Sequence, residues 1–245
     1  RFSRRRDEKA DDVLFRTIIS TQNKDEIWPL LQLYITEQQT KFLSFARENY
    51  AIITEAFINE KPAPLGKALT ALSREKNILK NARRKETLCL RMLPHPVAIE
   101  NSAAFYLSNN LCMSILYNLR RIDETCKEHV ENNFRPLPAR YGKQYADIRT
   151  EIDALFADTL AVMQSGDTTA ITALRRRCDR AKDTVSDAYH SVQEHLRTAH
   201  STELTVLYVY VNLLQETREI LSSLRKYLRA YAKIRDSRFR SRETV

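Results

Sequence analysis

The densest run of chemically capable side chains is LRRIDETCKEHVENN, residues Leu119–Asn133. It carries the carboxylates Asp123, Glu124, Glu128 and Glu131, the thiol Cys126 and the imidazole His129. Such groups ligate metals or move protons, so their placement around a helix decides between a site and a solvated face. At ~100° per residue, Leu119, Ile122, Cys126, Val130 and Asn133 continue the side begun by Leu111 and Ile115. Glu124, Glu128 and Glu131 gather opposite, as a solvated glutamate row does. Asp123 flanks one edge of the apolar stripe and His129 the other, with Cys126 inside it. Cys126 and His129 alone are two ligands where zinc takes about four, so packing is their expected role.

A second window lies near the other end, in LTVLYVYVNLLQETREILSSL. It is apolar nearly all round up to Leu214, which predicts a deeply buried helix. Glu216, Arg218 and Glu219 follow, partly on the buried arc, where a carboxylate needs arginine, metal or water. Pairing with Arg218 or with an arginine of a neighbouring helix is the expectation. The two windows resemble each other: SILYNLRRIDET and VYVNLLQETREI each set an asparagine, Asn118 or Asn212, inside an apolar run. A single buried asparagine can fix helix register. His190, His195 and His200 recur every five residues and so spread over three faces. With no glycine-rich phosphate loop, nucleophile elbow or HExxH motif, an enzyme is not expected.

The elements that must position these residues are long helices. Only three glycines and seven prolines occur in 245 residues, with 29% charged residues, a composition poor in turn formers. An amphipathic piece around Asp11–Ser20 comes first. A helix then opens at Asp25 and Glu26, with Pro29 in its first turn, and KPAPLG ends it. The next begins at Lys67 and stops at PHP; the third runs from about Val97 to Asn133, closed by FRPLP. The scheme repeats over Ala139–Gln164, Thr168–Ala199 and from Ser201 or Thr202 to about Ile234, with Gly166 as helix C′ residue and Asp167 as N-cap. Short connections make neighbours antiparallel. The expected fold is all-α: an elongated antiparallel bundle of two three-helix units, residues 23–134 and 135–245, after a basic linker and short helix in 1–22.

Forty Lys and Arg against 31 Asp and Glu give a formal charge of +9, compatible with an anionic membrane or nucleic acid. Nucleic acid is not the expected partner, because acids intersperse the inner basic runs KNARRK and RRRCDRAK. Cys89, Cys112, Cys126 and Cys178 form no CxxC pair and read as reduced core thiols. No apolar run approaches the ~20 residues of a membrane span. The chain begins at Arg1 rather than Met, as expected of a processed product or a piece of a longer protein. The run Arg4, Arg5 and Arg6 in RFSRRRDEK suits the cytoplasmic exit of an upstream membrane helix and the anionic membrane surface there.

NKDEIWPLLQLYITE, NARRKE, EHVENNF and VYVNLLQETREILSSLRKY, in this order, resemble the cytoplasmic tail of PiT-type inorganic phosphate transporters of Bacteroidetes-like bacteria. That tail is similar to the PhoU family of phosphate-signalling proteins. The resemblance spans essentially the whole chain and implies two three-helix bundles. It also implies an inner-membrane, ion-coupled phosphate symporter whose helical part lies on the cytoplasmic side and regulates transport, with the membrane domain of the same transporter as partner. A sodium–phosphate cotransporter tail of the other common kind, a free-standing PhoU-like adaptor and a homodimer stay open. PhoU proteins hold metal clusters on an E/DxxxD motif in the third helix of each bundle. Here Arg120 replaces the acid before Glu124 and Gln215 that before Glu219, so only Glu124 and Glu219 carry over as metal ligands. No cofactor is expected beyond such a divalent metal.

Overall fold

The computed structural model describes residues 13–236. The basic runs Arg4–Arg6 and Arg238–Arg242 lie outside them. Residues 13–20 form a short helix, α1. Six long helices follow: α2 (Lys24–Ile58), α3 (Pro62–Met92), α4 (His95–Glu131), α5 (Ala139–Ser165), α6 (Ile171–Leu196) and α7 (Ser201–Asp236). No strand occurs among the described residues; the fold is an all-α antiparallel bundle.

Local chemistry sets the boundaries. The Asn23 side chain accepts the Asp25 N–H at 3.1 Å and donates to Glu26 at 3.0 Å, closing the start of α2 as an N-cap does. Pro29 sits at the sixth residue of α2, beyond the first turn. It therefore removes one intrahelical hydrogen bond, and does so at an exposed position. Three of the other prolines begin helices rather than separate them. Pro62 and Pro64 occupy the first turn of α3, and Pro96 that of α4, where N–H groups have no intrahelical partner. The α2–α3 connection thus shrinks to three residues, with Glu60 left-handed at φ 53°.

Gly166 ends α5 at φ 70°, as expected of a C′ residue. The Arg235 guanidinium lies where a Cβ would project, 2.5 Å from its ideal position. Asp167 caps the following turn instead of α6 itself: its carboxylate accepts the Thr169 N–H at 2.9 Å, and α6 begins only at Ile171.

Helices α2–α4 and α5–α7 fill the two spans expected as units. Their cores are continuous: one hydrophobic cluster includes Phe42, Leu119, Phe156, Cys178 and Leu224, from five different helices. The broadest helix contact is α4 against α7. The pairs Ser114–Ser223, at 3.2 Å, and Arg121–Glu216, at 2.9 Å, make it antiparallel. Helix α2 packs against α3, α4 and α5 and reaches α7 through Gln39, which accepts from Tyr227 at 2.9 Å and donates to Ser108 at 3.0 Å. Helices α3 and α6 lie on the flanks. A second cluster closes one end, where Ile18 of α1 joins Trp28, Phe105 and Ile234.

Candidate functional site

Both chemically dense windows fall on the central pair α4 and α7. Glu124 is exposed, and its carboxylate accepts the Arg120 Nε–H at 2.7 Å, one turn apart. Arg120, which replaces the first acid of the motif that the resemblance implies, is thus the partner of the second. Beside it, Arg121 donates to the Asn118 side-chain oxygen at 2.5 Å and reaches Glu216 of α7 at 2.9 Å. Glu216 thereby finds the neighbouring-helix arginine that its position on the buried arc required.

Glu219 is exposed, one turn further along α7 than Glu216. With Glu216, Arg218, Gln215, Tyr189 and His190 it lines a cleft of about 350 Å³ between α6 and α7. The Tyr189 hydroxyl accepts from Gln193 at 2.8 Å and from Gln215 at 3.3 Å across this cleft. A groove along α4, lined by Met113, Tyr117, Arg120, Arg121 and Glu124, borders the same ion pair. The structure therefore joins the two windows through Arg121–Glu216, with Glu124 in one groove and Glu219 in the other. Among the described residues no three His, Cys, Asp or Glu side chains converge in a metal-holding group. Glu124 and Glu219, one paired with arginine and the other beside Arg218, do not fit the metal cluster that the resemblance implies.

Asp123, on the edge of the apolar stripe, is wholly buried, and neither carboxylate oxygen has a hydrogen-bond partner. Burial lifts its pKa from 3.8 to about 7; Lys127 pulls the other way and Glu124 adds to the rise. His129 is buried between the Phe57 and Phe134 rings, and its Nε2 lies 3.1 Å from the Arg135 carbonyl oxygen. Burial lowers its pKa, so the ring is neutral and Nε2–H donates to that carbonyl. Cys126 is buried, and desolvation raises its thiol pKa far above the ordinary value. The histidines do not gather. His190 lines the α6–α7 cleft, while His195 accepts from Tyr141 at 2.9 Å at the bundle end.

Two buried polar groups were not singled out by sequence reasoning. Tyr50, Tyr145 and Thr217 close a hydroxyl triangle between α2, α5 and α7; Thr217 lies 3.0 Å from Tyr50 and 3.1 Å from Tyr145, and the two phenols bond directly. Each hydroxyl can donate once and accept once around the ring, so the burial of all three is satisfied. Burial raises the Tyr50 pKa to about 12, against both hydrogen bonds. The second group is Glu86 of α3, which accepts from Asn109 of α4 at 3.1 Å. Burial raises its pKa from 4.5 to about 7, opposed by Asn109 and Arg83. Its signal was the 3–4 spacing Leu72, Glu75, Leu79, Ala82, Glu86, Cys89 along the inner side of α3.

The four thiols are buried, and the grooves along α4 and between α6 and α7 are lined by charged side chains. No protein-family model and no curated protein matches the chain.

Proposed function

We propose that the chain is a regulatory, non-catalytic helical module that acts by docking, and that it is the PhoU-like cytosolic part of an inorganic phosphate transporter. The observation that carries this reading is the joining of two three-helix units through their third helices, α4 and α7. The resemblance implies two such bundles, and the α4–α7 contact makes them one body. Sequence segments spread over the whole chain support the phosphate assignment. No described helix is long and apolar enough to cross a membrane, so transport itself belongs to the membrane domain that the resemblance implies.

In this reading the module biases the transporter's gate. A docked module shifts a conformational equilibrium only by the difference between its contact free energies with the two states. The surface formed by the α4 groove, the Arg121–Glu216 pair and the α6–α7 cleft presents both charge signs close together, which suits specificity more than raw affinity. The test removes this region from the native protein and measures phosphate uptake at high and low phosphate supply. Changed uptake, or a changed response to supply, is expected. Unchanged uptake under both, or a native protein of this size found only in the soluble fraction, overturns the transporter assignment; the latter leaves the free-standing adaptor.

A further inference from the structure

The flank helix α3 is far more basic than the helix in the matching place of the other unit. It carries eight Lys or Arg and two Glu, six of the net nine positive charges of the chain. Both glutamates, Glu75 and Glu86, point inward and are buried. Lys67, Arg74, Lys80, Arg84 and Arg91 are exposed, and none has an ion-pair partner among the described residues. The adjoining stretch of α4, residues 101–122, contains no acid, and its two arginines, Arg120 and Arg121, are ion-paired with Glu124 and Glu216. In α6, by comparison, five Lys or Arg accompany four acids, and Arg177 and Lys182 are ion-paired. The basic face is a property of α3, not of flank helices in this fold.

The apolar residues on this face identify the anionic partner. Leu88 of α3 and Leu107 of α4 are about half exposed, close in level along the antiparallel pair, as the Glu86–Asn109 bond requires. Tyr106 and Tyr117 of α4 are partly exposed, and each carries a cation over its ring: the Arg83 guanidinium lies 5.9 Å from one centroid and the Lys76 ammonium 5.2 Å from the other. Each of these rings already engages a cation of α3, whereas single-stranded nucleic acid is bound by rows of aromatic rings that stack on successive bases. Exposed leucines beside lysines, arginines and amphipathic tyrosines suit the headgroup and acyl boundary of a bilayer.

We infer that the face formed by Arg74, Lys80 and Arg84 of α3, with Leu88 and the adjoining Leu107 of α4, binds the surface of an anionic phospholipid bilayer. The binding is peripheral and electrostatic, with the exposed leucines in shallow contact with the acyl region. It does not depend on the phosphate-transport reading, since bare vesicles suffice to observe it.

The experiment is vesicle co-sedimentation of the whole chain at about 0.1 M salt, where surface charges act over ~10 Å. Vesicles are phosphatidylglycerol-rich or pure phosphatidylcholine. The variant R74Q/K80Q/R84Q is compared with R176Q/R180Q/R197Q, which removes the same charge from exposed positions in and just after α6, and circular dichroism verifies that both fold. Binding to the phosphatidylglycerol vesicles alone is expected. Each basic residue at such a surface contributes about five-fold in affinity, so the α3 variant should bind about 100-fold more weakly and the α6 variant markedly less so. Three results would overturn the inference: no preference for anionic vesicles, equal losses in the two variants, or capture of an oligonucleotide at the same salt while the vesicles stay unbound.

Discussion

Replacing Asp123 by Asn should stabilise the protein at alkaline pH and leave it nearly unchanged in acid. The carboxyl is buried with no hydrogen-bond partner on either oxygen, and burial raises its pKa from 3.8 to about 7. Between those values the unfolded chain ionises Asp123 while the native state keeps it protonated. The native state then binds more protons, so stability falls as pH rises through this window. The stabilisation present below pH 3.8 is lost by the time pH passes 7. A shift of that size corresponds to about 4 kcal/mol once pH lies well above 7. Asparagine has nearly the same shape and no charge to desolvate, so Asp123→Asn recovers most of that loss at pH 8. At pH 4 it exchanges one neutral buried polar group for another. For a chain of this length ~4 kcal/mol is roughly 10 °C in Tm. The assay is urea and thermal unfolding of both proteins from pH 4 to pH 8. Glu86 titrates in an overlapping window, from 4.5 to about 7, so the single variant keeps part of the fall and Asp123→Asn/Glu86→Gln should lose most of it, leaving the opposite contribution of His129, whose lowered pKa makes stability rise with pH up to its unfolded value of 6.5. The reasoning fails if Asp123→Asn destabilises the protein at pH 8, because the ionised carboxylate would then have to be paired.

The remaining predictions concern the core, a turn, the thiols and the acidic windows. Tyr145→Phe and Thr217→Val should each cost about 1–3 kcal/mol by orphaning buried hydroxyls; a double-mutant cycle should show that the pair costs less than the sum, and strict additivity would deny the triangle. Gly166→Ala should cost about 1–2 kcal/mol, because φ is 70° and Arg235 occupies the Cβ direction; an unchanged urea midpoint would contradict this. Cys89, Cys112, Cys126 and Cys178 are buried, and desolvation raises all four thiol pKa values. Iodoacetamide should therefore leave the native protein unlabelled by mass spectrometry and label four sites after denaturation. Added Mn²⁺ should not raise Tm, since Arg120 holds Glu124; a concentration-dependent rise would reveal a ligand set.

Helix count and order were legible because proline clusters and a glycine punctuate otherwise unbroken 3.6-residue periodicity. The glutamate face of α4 was legible for the same reason: Glu124, Glu128 and Glu131 are all exposed. Two kinds of feature were harder to read. Pro62, Pro64 and Pro96 looked like ends of helices, although the same residue suits a first turn and a break equally well. The depth of Asp123 was also hidden. One helix's periodicity defines a single stripe, but α4 packs against α2, α3 and α7 together, and such enclosure draws in residues at both edges, Asp123 and His129 alike.

The basic run of α3 shows how charge should be counted. Along the sequence, Glu75 and Glu86 dilute KNARRK and suggest an ordinary solvated face. Around the helix they share the 3–4 spacing of Leu72, Leu79, Ala82 and Cys89, and both are buried. Glu86, with its pKa near 7, carries little charge in mildly acidic solution, and its position under the surface keeps its oxygens with Asn109 rather than with the exposed arginines. Acids that are neighbours in sequence therefore do not neutralise the cations opposite them. The outward potential of α3 is set by Lys67, Arg74, Lys80, Arg84 and Arg91, the residues that an approaching anionic surface meets first.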